Sequence, residues 1–192
     1  MRDRTSDGPG AAPGSQDPAP EAGAGEGEDP ESYARTVCLR LLTTAPRTRA
    51  QLADALYRRG VEEQVAETVL ERFGDVGLID DAAFSAAWVE SRHTGRGLGR
   101  RALAGELRRR GVDEETVRGA VDDISADQEE ATARGLVRRK LAATRGRDDA
   151  ARVRRAMGML ARKGYPAGLA YRLIREELEA EGSDLELPDP DL

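Results

Sequence analysis

Thiols, imidazoles and aromatic rings are scarce in this chain. Cys38 is its single cysteine and His93 its single histidine among 192 residues. One thiol excludes an internal disulfide and any multi-thiolate metal cage. Within the apolar pattern of a helix, Cys38 reads as a buried structural thiol. One imidazole in an arginine-rich loop gives no support to an arrangement of nucleophile, base and orienting acid. No apolar run approaches the roughly 20 residues needed to cross a bilayer. The first 31 residues lack the apolar centre of a secretory signal, so a cytoplasmic protein is expected.

Charge is plentiful and segregated. The formal net charge of -6 combines a -6 segment at residues 1–31 with a -8 segment at 176–192, leaving +8 for the body between them. Residues 1–31 are rich in Pro, Gly, Ala and acid, a composition that buries too little apolar area to offset chain entropy, and residues 181–192 look similar. Both read as disordered acidic tails. They either solubilise the chain or shield its basic body from nucleic acid.

Between the tails the apolar periodicity is helical. Tyr33, Val37 and Leu41 recur every four residues; Leu52 with Leu56, and Val65, Val69, Phe73 and Val76, mark two further helices. A second cycle runs through Phe84, Ala87 and Trp88, then Leu103 and Leu107, then Val117, Val121 and Ile124. The third runs through Ala133, Val137 and Leu141, then Val153, Met157 and Leu160, then Leu169, Leu173 and Leu178. No run alternates like a strand.

Glycines set the register of these cycles. Gly60, Gly111 and Gly164 lie 51 and 53 residues apart, each four residues after a leucine. Glycine suits the left-handed position just past a helix, basic residues before it face the negative end of the helix dipole, and Asp113 or Pro166 can open the helix that follows. The expected architecture is all-α: three tandem three-helix repeats at residues 32–79, 80–127 and 128–180. Units this small must lean on their neighbours, which predicts an elongated, curved modular rod. A compact nine-helix globule is the alternative. Near-equal spacing and only seven aromatics favour thin repeated cores.

Catalytic motifs are sparse. "GRGLG" at 95–99 has Arg100 where the third glycine of a dinucleotide loop belongs and no preceding strand, so it reads as a flexible joint. Asp80 and Asp81 read as helix-capping carboxylates rather than metal ligands. Neither an active site nor a cofactor or metal is expected. Cations are the remaining signal: Arg92, Arg96, Arg100, Arg101, Arg108, Arg109 and Arg110 stand against Glu106 alone. From 134 to 155 nine basic residues, including Arg138, Arg139, Lys140, Arg152, Arg154 and Arg155, face Asp148 and Asp149, and the belt extends to Arg162 and Lys163. Such a surface favours a phosphate backbone or an acidic protein face. The belts lack the interleaved aromatics of a single-strand stacking platform.

The run "RTRAQLADALYRRGVEEQVAETVLERFGDVGLIDDAAFSAAWVESR" (47–92), continued by "GRRALAGELRRRGVDEETV" (99–117), "EEATARGLVRRKL" (129–141) and "GMLARKGYPAGLAYRLIREEL" (158–178), resembles the RecX regulatory proteins of bacteria. The resemblance covers about residues 32–180 and leaves out the acidic N-terminal extension. It implies tandem three-helix modules without catalytic activity. It further implies binding to the RecA recombinase and its filament on single-stranded DNA, with limited filament growth and depressed ATPase, strand-exchange and coprotease functions; a monomer is expected. Direct contact with DNA is a further implied interaction, and the fifteen cations from Arg92 to Lys163 named above are the expected contacts. A helix-turn-helix-type protein acting on nucleic acid directly is the competing class; it requires a base-reading recognition helix and usually dimer symmetry, neither of which is visible.

Overall fold

The computed structural model describes residues 29–183. Among them the chain forms nine α-helices and no strand: α1 Pro30–Thr44, α2 Arg49–Tyr57, α3 Glu63–Asp75, α4 Asp81–Arg96, α5 Arg100–Arg108, α6 Glu114–Asp122, α7 Ala126–Ala142, α8 Asp149–Arg162 and α9 Ala167–Ala180. All substantial helix packing pairs members of α1–α3, α4–α6 or α7–α9. The all-α fold of three tandem three-helix units is therefore present. The two expected acidic tails lie largely outside the described residues. At their inner edges, Asp29 and Pro30 already open α1, and Glu181 and Ser183 fold back on the start of α8.

Each unit has its own core. Leu52, Leu56 and Leu70 are fully buried in the first, Leu103 and Leu107 in the second, and Leu141, Leu160 and Leu173 in the third. Full burial of one such side chain contributes about 1.5–3 kcal/mol, so a handful of leucines carries each unit. Local chemistry starts the helices where the periodicity requires. Asp29, Asp80, Asp113 and Asp148 accept hydrogen bonds from backbone amides three residues on, and Thr48 with Gln51 and Ser125 with Gln128 form reciprocal capping boxes. The leucine-to-glycine turns close alike. The amides of Val61, Val112 and Tyr165 reach back to the carbonyls of Leu56, Leu107 and Leu160 at 3.2, 3.3 and 3.1 Å, with the intervening glycine left-handed.

The units are joined in series. Among the described residues, hydrogen bonds and ion pairs cross from the first unit to the second and from the second to the third, with none between the first and third. At the first boundary the Thr48 hydroxyl donates to the Arg110 carbonyl at 2.7 Å, and the Arg49 amide donates to the Asp81 carboxylate at 2.9 Å. Burial against this boundary pushes the Asp81 carboxyl above its usual range. At the second boundary the Gly99 amide donates to the Lys163 carbonyl at 2.8 Å and the Arg100 amide to the Glu129 carboxylate at 2.8 Å. Glu129 thus supplies from the next unit the cap that Gly99, having no side chain, cannot give α5. The Tyr165 hydroxyl donates to the Gly97 carbonyl at 3.1 Å, and His93 pairs through its two ring nitrogens with the Leu98 carbonyl and the Thr132 hydroxyl.

These contacts correct the expectation of a flexible joint at 95–99. The joint is pinned, because its bonding partners come from a unit some 30 to 70 residues away that a local reading of glycines does not reach. Its amides are also occupied: Gly97, Leu98, Gly99 and Arg100 all donate to protein acceptors, which leaves none of them to cradle a phosphate.

Candidate functional site

The cations fall into two groups once their neighbours are known. Arg152 is buried. Its guanidinium binds Asp149 at 2.9 Å, Glu181 and the Leu141 carbonyl, tying the start of α8 to the end of α9. Arg100 donates through its guanidinium to the Ile124 carbonyl at 2.8 Å and lies 3.9 Å from Glu129. Arg92 and Arg110 lie over the Trp88 ring, their guanidinium carbons 4.1 and 3.7 Å from its centroid. Glu106, the one acid of the first belt, accepts the Trp88 indole N–H at 2.8 Å and sits 3.8 Å from Arg92. Arg108 makes a two-point pair with Glu114 at 2.6 and 2.7 Å, and Arg138 pairs with Glu177 at 2.9 Å. Lys163 donates to the Arg96 carbonyl. Arg92, Arg100, Arg108, Arg138 and Arg152 each lie against an acid, Lys163 reaches across a unit boundary, and Arg110 is held on the Trp88 ring.

Arg96, Arg101, Arg109, Arg139, Lys140, Arg154, Arg155 and Arg162 have no acidic partner among the described residues. The second boundary gathers several of them. A groove of about 610 Å³ runs between α5 and the α8–α9 turn, with Arg101, Arg109 and Arg162 on its walls and Ala102, Gly105 and Ala161 among its lining residues. Small residues keep it open and let the long cations lie flat. A guanidinium nitrogen of Arg109 comes within 3.5 Å of where a Gly105 Cβ would stand, and one of Arg162 within 3.4 Å of the corresponding point at Gly158. Beside the groove, burial and the positive charges of Arg139 and Arg96 lower the Lys163 pKa. That shift reflects like charges gathered around a partly buried amine.

A second cleft, of about 360 Å³, opens at the first boundary between Pro46 on one side and Phe84, Ala87 and Trp88 on the other. Phe84 and Trp88 stack with centroids 5.8 Å apart. Trp88 is the residue that reading the chain in one dimension missed. It looks like an apolar helix position, and nothing in the local pattern shows that Arg92, four residues on, and Arg110, 22 residues on, converge on its ring. Asp81 and Glu129 were equally hidden as boundary carboxylates. Asp80 does cap α4, as expected, whereas Asp81 reaches across to Arg49.

Cys38 is buried in the first core, and desolvation pushes its thiol up to about 11. Among the described residues no group of three His, Cys, Asp or Glu side chains is placed to hold a metal ion, and no helix is long and apolar enough to cross a membrane.

Three small helical units in series, each with its own leucine core and with cations that lack an acidic partner among the described residues gathered at a unit boundary, define a tandem three-helix repeat protein with a basic inter-unit groove. Residues 34–73, 80–121 and 127–174 match, in order, the family models for the first, second and third three-helix domains of RecX. The chain belongs to the RecX family of regulatory proteins. It is 63% identical over 191 residues to the regulatory protein RecX of Thermobifida fusca (strain YX), covering 100% of this chain and 99% of that one. It is 60% identical over 158 residues to that of Streptomyces lividans, covering 82% and 84%. Its fold is similar to the crystal structure of RecX from Lactobacillus salivarius, with a TM-score of 0.71 at 18% identity over 77% of this chain and 96% of the other.

Proposed function

We propose that this chain is a non-enzymatic regulator that binds the RecA recombinase and its filament on single-stranded DNA. There it limits filament growth and depresses ATPase, strand exchange and coprotease activity. Family membership supports the partner, and the carrying observation is the set of unpaired cations at the second boundary. Arg101, Arg109 and Arg162 flank a groove whose small residues admit a chain-like anion. A cationic groove of this kind favours phosphate backbone or an acidic protein face and speeds encounter with either. The protein acts in the cytoplasm, where that partner is, as a monomer.

The decisive measurement is RecA ATPase on single-stranded DNA, titrated with this protein and with an Arg101→Glu, Arg109→Glu, Arg162→Glu variant of unchanged helicity. Inhibition by the wild type and its loss in the variant is the expected result. No inhibition by the wild type over a wide concentration range would overturn the assignment.

A helix-turn-helix-type action on DNA alone is the second reading, favoured by the same groove. It requires binding to one duplex sequence far above others without RecA.

A further inference from the structure

The three leucine-to-glycine turns have one backbone geometry and two different surroundings. Gly60, Gly111 and Gly164 have φ of +78°, +76° and +83°, so a left-handed residue is required at each. A Cβ added at Gly60 meets nothing within 4 Å. At Gly111 it would stand 2.3 Å from the Ala50 Cβ. At Gly164 it would stand 2.4 Å from the Ala102 backbone nitrogen, 2.6 Å from its Cβ and 2.9 Å from its Cα. The second and third turns therefore press against the start of the second helix of the preceding unit.

The residues around each contact repeat. The carbonyl just before the glycine, Arg110 or Lys163, accepts a hydrogen bond from the residue capping that helix, Thr48 or Gly99. A carboxylate from the first helix of the incoming unit, Asp81 or Glu129, accepts the first helical amide, Arg49 or Arg100. Cores are separate and substantial helix packing stays within units, so little apolar surface opposes motion between units. The start of α8 is built differently. Asp148 and Asp149 stand where α2 has Thr48 and Arg49 and α5 has Gly99 and Arg100, and Ser183 and Arg152 already engage Asp149.

We propose that Gly111 and Gly164 are inter-unit locks: each turn is a socket whose missing side chain lets it seat on the preceding unit and fix the angle between the two. Gly60 has the same turn without the lock. Left-handed strain is common to all three positions, so Gly60→Ala measures it alone, while Gly111→Ala and Gly164→Ala add the clash. The two locks also differ. At Gly111 the close contact is with a side chain, Ala50, and Ala50→Gly makes room for the new methyl; at Gly164 it is with backbone, and Ala102→Gly cannot.

The test uses the full chain, with paired spin labels on cysteines introduced at exposed Glu71 and Glu115 for the first boundary and at Glu115 and Glu179 for the second. Cys38, buried and with a raised pKa, stays unlabelled. Wild type and Gly60→Ala should give a single narrow distance peak. Gly111→Ala and Gly164→Ala should lose it at their own boundary, with Ala50→Gly restoring the first and Ala102→Gly leaving the second broad. Peaks in the two lock variants as narrow as in Gly60→Ala would overturn the proposal. If Gly111→Ala also lowers helicity, failure of Ala50→Gly to recover both helicity and the peak overturns it as well. The readout involves no partner, so it stands or falls apart from the function proposed above.

Discussion

Thr48 gives its hydroxyl hydrogen to the carbonyl of Arg110, 62 residues away and in the next unit, while the same oxygen accepts the amide of Gln51 at the start of α2. One fully buried side chain therefore caps a helix and crosses a boundary. Local and long-range order depend on the same atom.

Replacing that hydroxyl should affect both. Thr48→Ala removes a helix cap worth about 0.5–2 kcal/mol and a boundary hydrogen bond worth about 1 kcal/mol. A loss of roughly 2–3 kcal/mol is expected in thermal or urea melts. Thr48→Ser keeps the oxygen and should recover most of it; an equal loss in both variants would point to the methyl group instead.

Arg152 belongs by sequence to the basic belt expected to bind a partner, and its surroundings give it a structural task. Arg152→Ala leaves Asp149 and Glu181 without their shared counter-charge. Because both carboxylates remain about 30% exposed, the expected loss is about 1–3 kcal/mol rather than the full penalty of a buried broken pair. Urea melts of the variant should shift to lower midpoint, and unchanged melts would show that the α8–α9 contact holds without this network.

The third unit should be acid-sensitive. Hydrogen bonds from Arg172 and then Arg134 hold the Glu130 carboxyl down at about 2. A folded pKa below the unfolded value of about 4.3 contributes stability that is fully present above that value and lost as pH falls toward 2. Denaturation midpoints measured from pH 6 to pH 2 should drop over that window in the wild type and drop less in Glu130→Gln. Added salt should narrow the difference, since the network is solvent-exposed. Identical profiles for the two proteins would remove Glu130 from the account.

Adjacent arginines should separate in function. Arg109 has no acidic partner among the described residues, whereas Arg108 is held by Glu114 and Arg110 lies over Trp88. On the function proposed above, Arg109→Glu should weaken inhibition of RecA ATPase on the order of tenfold, matching the loss of one charge-assisted contact of ~1.4 kcal/mol. Exchanging charges in Arg108→Glu with Glu114→Arg should leave inhibition near wild type. Equal losses in the two proteins would assign the contact to the whole arginine run.

Much of this molecule was legible in one dimension because the information is local. The leucines at 56, 107 and 160 and the glycines four residues on report a helix end, which needs only a few neighbouring residues to form. Capping by Asp80 and Asp113 was readable for the same reason. The state of each arginine was not. The Arg138 guanidinium meets Glu177 and that of Arg100 lies 3.9 Å from Glu129, across 39 and 29 residues, and composition treats a neutralised cation and a free one alike.

The sequence by itself determined three cycles of three helices, their stops and starts, and a basic body between acidic ends, since helical periodicity and capping are short-range physics. Tertiary structure alone decided which of those stops are also joints. Gly60 and Gly111 adopt the same turn for the same local reason, yet only Gly111 has Ala50 against it, because that contact exists only once a second core has folded and docked.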